Sequence, residues 1–326
     1  GLKEKAPNFQ WDVYFDAVFH PLLAKDTFRR EAYHMAPANP ADPAGDLTVN
    51  GIVFSEMKGV FSHPEHRLHY LLGHNLLPDT AYSLSSGGRP DAIPDLTYEA
   101  FRKYHDDFYH PSLAYFVVYG NIPPEDYLGF LDERLAGFGR LAKPTPAVQR
   151  QRRWPERRLV TDTYPIEPGE PAGGKTYIVM NWLAGDALSP RDTAALDVLG
   201  LILLGNEAAP IRKAIIDSGL GQDTFCPGMQ NIGPQFAFGI GIKGSEPDRR
   251  DAFVSLVENT LSVCAGERFA REKVEAAFQQ AAYQRLEIHS GYPLHVMDCV
   301  LSAWPFGADP LLFLRMKEHL DQCRRD

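Results

Sequence analysis

The chain has 326 residues, 44% of them hydrophobic and 23% charged, the proportions of an ordinary folded protein long enough for two domains. Its longest apolar run, residues 196–204, is interrupted by Asp197 and Gly200 and is too short to cross a bilayer, so no membrane role is expected. With 42 acidic against 33 basic residues the net charge is -9, which argues against nucleic acid as a partner, because phosphate backbones need a basic footprint.

Residues 11–23 place Trp11, Tyr14, Phe15, Val18, Phe19 and Leu22 at helical spacing. A loop rich in Pro and Ala follows at 36–45, and residues 51–61 read as a second helix. A polar stretch at 83–94 contains Ser85-Ser86-Gly87-Gly88, glycines that serve either a turn or the close approach of a peptide backbone. Thr97 is placed to cap a helix with Tyr98, Phe101, His105 and Phe108 inward, and His105 there reads as a satisfied core histidine. His110 before Pro111 reads as a helix-to-strand turn. Residues 113–119 are a short apolar run expected to be a buried strand, ended by Gly120-Asn121, and 125–138 form an amphipathic helix.

Residues 141–174 hold six prolines and the arginines Arg150, Arg152, Arg153, Arg157 and Arg158. Residues 144–174 read as an interdomain linker, with the arginines either a solvated flank or a site for an anionic partner. A second cycle then begins. Residues 175–183 alternate as a strand, and 192–204 form a helix apolar on nearly all sides, hence buried. Pro210 suits a helix first turn and Gly219 its end. Residues 235–244 form a strand with Phe236, Phe238, Ile240 and Ile242 on one face; Gly239 and Gly241 on the other leave room for a helix. Residues 251–264 form a helix with Phe253, Leu256, Val257, Thr260, Leu261 and Cys264 inward, and 271–288 a longer one. Both halves run strand, glycine, polar turn and amphipathic helix, at 113–138 and 235–269, which suggests two copies of one α+β module.

Cys226, Cys264, Cys299 and Cys323 are widely spaced with no C-x-x-C pair, so neither a disulfide framework nor a cysteine zinc site is expected. Free thiols fit a reducing compartment, with the cytoplasm favoured. The opening, Gly1-Leu2-Lys3-Glu4-Lys5, lacks an initiator methionine and reads as the cut edge of a longer polypeptide.

The strongest chemical clue is Glu56. On a helical wheel for 51–61, Ile52, Val53, Met57 and Val60 form an apolar arc, and Glu56 falls inside it. A carboxylate in a buried stripe is costly unless it is paired, hydrogen-bonded or metal-bound, and spacing alone leaves all three open. The nearest histidine pattern, His63-Pro64-Glu65-His66 with His69 beyond, has the wrong spacing for two ligands on one helical face.

The segment Gly51-Ile52-Val53-Phe54-Ser55-Glu56-Met57-Lys58-Gly59-Val60 resembles the one that carries the third zinc ligand in presequence proteases and falcilysin-like enzymes. These are insulinase-type, inverted-motif zinc peptidases (subfamily C of family M16). Further matching segments follow in order: Ser86-Gly87-Gly88, Ile93-Pro94-Asp95-Leu96-Thr97, Tyr109-His110-Pro111-Ser112, Tyr119-Gly120, Met180-Asn181-Trp182-Leu183, Pro210-Ile211-Arg212-Lys213, Ser218-Gly219-Leu220-Gly221 and Pro234-Gln235-Phe236. The resemblance spans roughly residues 11–244.

The resemblance implies an α+β fold of two related modules, each an antiparallel or mixed sheet packed with helices, as in M16 and LuxS-like proteins. Residues 1–143 would be the later part of a catalytic module, 144–174 a linker, and 175–326 a second, non-catalytic module. It implies that Glu56 is a zinc ligand, completed by two histidines of an H-x-x-E-H helix whose glutamate is the general base. That motif is not in this sequence, so the resemblance gives no catalytic or substrate-binding residue here, and zinc absent or weakly held by these residues alone. The implied partners are an unfolded peptide substrate, enclosed in a clamshell chamber, and the remaining segments of the same polypeptide. A non-catalytic scaffold built from the same modules is the alternative.

Overall fold

The computed structural model describes residues 7–141 and 148–326, so the opening five residues and residues 144–147 of the expected linker lie outside the described residues. By contacts the chain divides into two compact units, residues 7–67 with 85–141, and residues 68–84 with 148–326.

The first unit contains α1 (Pro7–Phe19), α2 (Lys25–Glu31), the antiparallel pair β1 (His34–Pro37) and β2 (Leu47–Asn50), and α3 (Ile52–Ser62). The helix α4 (Pro64–Leu76) opens here and counts with the second unit from Leu68 onward. The first unit then resumes with α5 (Tyr98–Phe108) and α6 (Pro124–Leu135). Of the predicted stripe, Trp11, Phe15, Val18 and Phe19 turn inward on α1, whereas Tyr14 is exposed and Leu22 lies exposed beyond the helix end. Phe15 is buried, with ring centroids 4.7 Å from Phe19, 6.2 Å from Phe130 and 6.3 Å from Phe138, and Trp11 lies 4.5 Å from Tyr127. Such tilted and edge-on aromatic pairs add to simple area burial. Thr97 caps α5, its Oγ1 accepting from Ala100 N–H at 3.1 Å.

Residues 113–119 depart from expectation. A 3-10 turn at Pro111–Leu113 leads into an irregular stretch in which Tyr115, Phe116, Val118 and Tyr119 are exposed. Among the described residues of this unit, β1 and β2 pair only with each other, and the run joins neither of them. A strand is stabilised by its neighbours, and an apolar run alone does not make one.

The second unit holds β3 (Thr176–Asp186), α7 (Pro190–Leu204), α8 (Pro210–Ser218), β4 (Asp223–Thr224), β5 (Gly228–Ile232), β6 (Gln235–Ser245), α9 (Arg250–Gly266), α10 (Arg271–Leu286), α11 (Tyr292–Leu301) and α12 (Met316–Arg325). β6 is the centre of the sheet and pairs antiparallel with β3, β4 and β5, placing Met180 opposite Ile240 and Asn181 opposite Gly239. On one face Ile240 and Ile242 pack with Ile211 and Ile215 of α8 and Phe253 and Val257 of α9, all almost fully buried. The other face carries Ala237 against Leu76 and Leu77, with Leu183 and Ile232 alongside. Leu76 and Leu77 therefore cover the Ala237 end of this face. A separate cluster joins Ala194 and Val198 of α7, Ala277 and Ala281 of α10, Cys299 of α11 and Met316 and Leu320 of α12. Pro210 opens α8, and Gly219 closes it with a φ of 62°.

One further expectation is corrected. Among the described residues, the atoms nearest to Gly239 and Gly241 belong to no helix. A Cβ at Gly239 would lie 3.0 Å from Pro227 Cγ, and one at Gly241 would lie 2.7 Å from the Phe225 carbonyl, so the segment joining β4 to β5 fills that space. Residues 148–175 have no regular elements, yet the start of this stretch is firmly tied down. Gln151 is buried; its Nε2 donates to Asp79 Oδ2 at 2.7 Å, and its Oε1 accepts from Asp79 N–H at 3.0 Å. Its backbone N–H donates to Gln235 Oε1 at 2.7 Å, and its carbonyl accepts from Gln235 Nε2 at 3.1 Å. A buried amide must find partners, and here the partners are a turn and the start of β6.

Candidate functional site

Glu56 lies on α3, and the local sequence explains how that helix is held. Gly51 begins it in close contact with the end of α2: a Cβ there would stand 2.3 Å from the Ala32 carbonyl oxygen, so only glycine fits. The same carbonyl accepts from Phe54 N–H at 3.3 Å. On the buried side, Met57 is covered by the glycine turn. A Cβ at Gly87 would stand 2.4 Å from Met57 Sδ, and Gly88 has a φ of 85° beside the buried Ile93. Gly87 and Gly88 therefore serve a turn and its packing, and the rotation of α3 about its axis follows from the seating of Met57.

That rotation corrects the expectation for Glu56. The side chain is exposed, as are Ile52 and Val53, and only Met57 of the predicted arc is buried. The arc left out Phe54 and Phe61, both half-buried, which flank Met57 on its far side and turn the buried face toward themselves. At about 100° per residue, this moves Glu56 to the margin of the apolar stripe.

Among the described residues no three His, Cys, Asp or Glu side chains come together to hold a metal. Zinc takes four ligands in a closed site and three plus water in a catalytic one, so Glu56 with its described neighbours does not fit the ion by itself. The His63–His66 pair has ring centroids 5.1 Å apart and is exposed; His63 follows the end of α3, and Pro64 opens α4. His105 is satisfied as expected, Nε2 lying 2.9 Å from the Val18 carbonyl with the ring stacked 4.6 Å from Tyr109. His110 Nδ1 accepts from Ser112 N–H at 3.1 Å and shapes the turn after α5.

Several arginines have intramolecular partners. Arg150 bonds both carboxylate oxygens of Asp186, at 2.9 and 3.0 Å. Burial opposes ionisation of Asp186, but the guanidinium and the Leu188 N–H outweigh it and hold the carboxyl below its usual range. Arg157 pairs with Glu258, and Arg158 lies 4.1 Å over the Trp154 ring while donating to the Asn75 carbonyl. The four cysteines are free thiols, and burial pushes each thiol up from its ordinary value, which makes them poor nucleophiles. Among the described residues no helix is long and apolar enough to cross a membrane.

A sequence model of the family described as "Peptidase M16 inactive domain" matches residues 95–281. The chain is 33% identical to Protein HypA of Clostridium perfringens over 322 residues, 96% of this chain and 32% of that protein. It is 34% identical to presequence protease 1, chloroplastic/mitochondrial, of Arabidopsis thaliana over 318 residues, 95% of this chain and 29% of that protein. The chain thus spans about a third of the length of these curated relatives. The crystal structure of a peptidase M16 inactive domain from Pseudomonas fluorescens covers 97% of this chain and 69% of that one with a TM-score of 0.66 and 12% identity, a likeness of fold. The α+β architecture and the family match agree: this chain belongs to the peptidase M16 family.

Proposed function

We propose that these 326 residues are part of a zinc-dependent endopeptidase of the presequence-protease type (subfamily C of M16), in which Glu56 supplies one zinc ligand and the other two, with the general base, come from a part of the polypeptide outside this sequence. The observation that carries this reading is 31–34% identity to presequence proteases spread along 95–99% of the chain. In this reading the first unit belongs to the catalytic module, the second is a non-catalytic module supporting it, and the substrate is an unstructured peptide enclosed by the complete protein. The free thiols favour a reducing compartment.

A second reading, a non-catalytic M16 scaffold, is favoured by the family description, which is that of an inactive domain. One experiment separates them. In the full-length gene product, zinc content and hydrolysis of a long unstructured peptide are measured for the wild type and for Glu56→Gln. The peptidase reading expects about one zinc per chain, and loss of both zinc and cleavage in the variant, since a lost ligand opens the site. Full activity in the variant would refute the ligand role, and a wild type without cleavage would favour the scaffold.

A further inference from the structure

Between α2, β1 and the first turn of α5, the first unit holds an open cavity of about 350 Å³. Its floor is aromatic. Phe28 is buried, set edge-on to Tyr33 at 6.2 Å and 5.9 Å from Tyr98. Both tyrosine hydroxyls are already used, Tyr33 donating to the Leu96 carbonyl at 3.1 Å and Tyr98 to the Leu23 carbonyl at 2.7 Å. The floor therefore offers apolar ring surface and no spare hydroxyl.

The rim differs. Lys25, Arg29 and His34 line it with one acid, Glu99. Lys25 Nζ has only a loose seat, 6.0 Å from the centroid of the Tyr98 ring. Arg29 reaches Asp26 at 3.8 Å in an exposed pair, the kind worth least in water. Both cations are thus available to a ligand. A cationic ligand would meet two like charges, and a bare inorganic anion would make no use of the floor.

We propose that this cavity binds a carboxylate carried on an aromatic or branched apolar group, with the apolar part on Phe28, Tyr33 and Tyr98 and the carboxylate at Lys25 and Arg29. The volume suits one such residue, at the small end of the range for ligand pockets. A peptide ending in phenylalanine and a free N-acyl amino acid share this chemistry. The proposal rests on the lining alone and does not depend on the peptidase reading.

The test is calorimetric titration of the 326-residue chain with three probes: N-acetyl-phenylalanine, its amide, and an unstructured peptide with a C-terminal phenylalanine carboxylate. Saturable binding of either acid, with the amide bound about two- to fivefold more weakly per lost charge contact, is expected. Lys25→Gln and Arg29→Gln should each weaken the acids by a similar factor; both side chains are exposed, so circular dichroism should be unchanged. Which acid binds more tightly tells the source of the ligand. Equal binding of acid and amide, no binding of either acid, or acid binding untouched in the Lys25→Gln/Arg29→Gln double variant would overturn the proposal.

Discussion

Replacing Gly87 by alanine addresses what holds α3, and with it Glu56, in place. The new methyl would stand 2.4 Å from Met57 Sδ and 2.9 Å from Cε, where ordinary contact begins near 3.4 Å, so the thioether must retreat by about 1 Å. Met57 is 8% exposed and has little free space to move into. Overpacking of this size costs about 1–3 kcal/mol, and the flexibility of methionine puts the expected loss near 1–2 kcal/mol. Met57→Ala alone should cost about 2–5 kcal/mol through the cavity it leaves. In the double variant the alanine methyl enters that cavity, so the two losses should fall short of their sum by about 1 kcal/mol or more. Urea unfolding of the four proteins closes the cycle. Gly88→Ala is the control: its φ of 85° makes it strained whatever the space, so Met57→Ala should not rescue it. Additivity of Gly87→Ala and Met57→Ala within about 0.3 kcal/mol would refute the claim that the glycine turn seats the helix through Met57.

Four further outcomes follow from the second unit. Arg285 pairs with Asp197 across α10 and α7, with side chains 23% and 30% exposed, so Arg285→Met should cost about 2–3 kcal/mol in thermal unfolding by stranding a partly buried carboxylate, whereas Asp197→Leu/Arg285→Met should recover most of it. Burial raises the Asp197 carboxyl despite Arg285, so its contribution to stability is full below the ordinary carboxylate range and is lost as pH rises through the raised value; the double variant should lack that slope. Gln151→Ala removes both side-chain bonds to Asp79 and should lower stability by about 2–3 kcal/mol in urea, more than any exposed arginine of the same stretch. Burial pushes the Cys226 thiol up, so at pH 8 iodoacetamide should modify it far more slowly in the native chain than after unfolding; equal rates would contradict its packing beside Gly241.

The second unit was legible because its signals are local and mutually consistent. Pro210 and Gly219 bracket a helix through backbone restrictions that hold in any context, and β6 has β3, β4 and β5 to pair with. The expected amphipathic face of α9 appears because Phe253 and Val257 meet a sheet already in place. Where the reading failed, the missing term was a partner that sequence spacing does not name. Residues 113–119 are apolar throughout, like a buried strand, but a ladder needs a second chain segment at hydrogen-bonding distance. Gln151 looks like one more polar residue of a linker, and its burial depends on Asp79 and Gln235, 72 and 84 positions away. Leu76 and Leu77 carry no mark of the sheet face they cover, because they would suit many apolar surfaces equally. Glu56 combines both cases. Its identity and neighbours were enough to single it out, but its direction is decided by Phe54, Phe61 and Met57 meeting Gly87. A wheel ranks positions on a helix by polarity, and burial is set by where the heaviest apolar side chains find complementary surface. Two phenylalanines outweigh Ile52 and Val53 in that contest, and the carboxylate follows the backbone they turn.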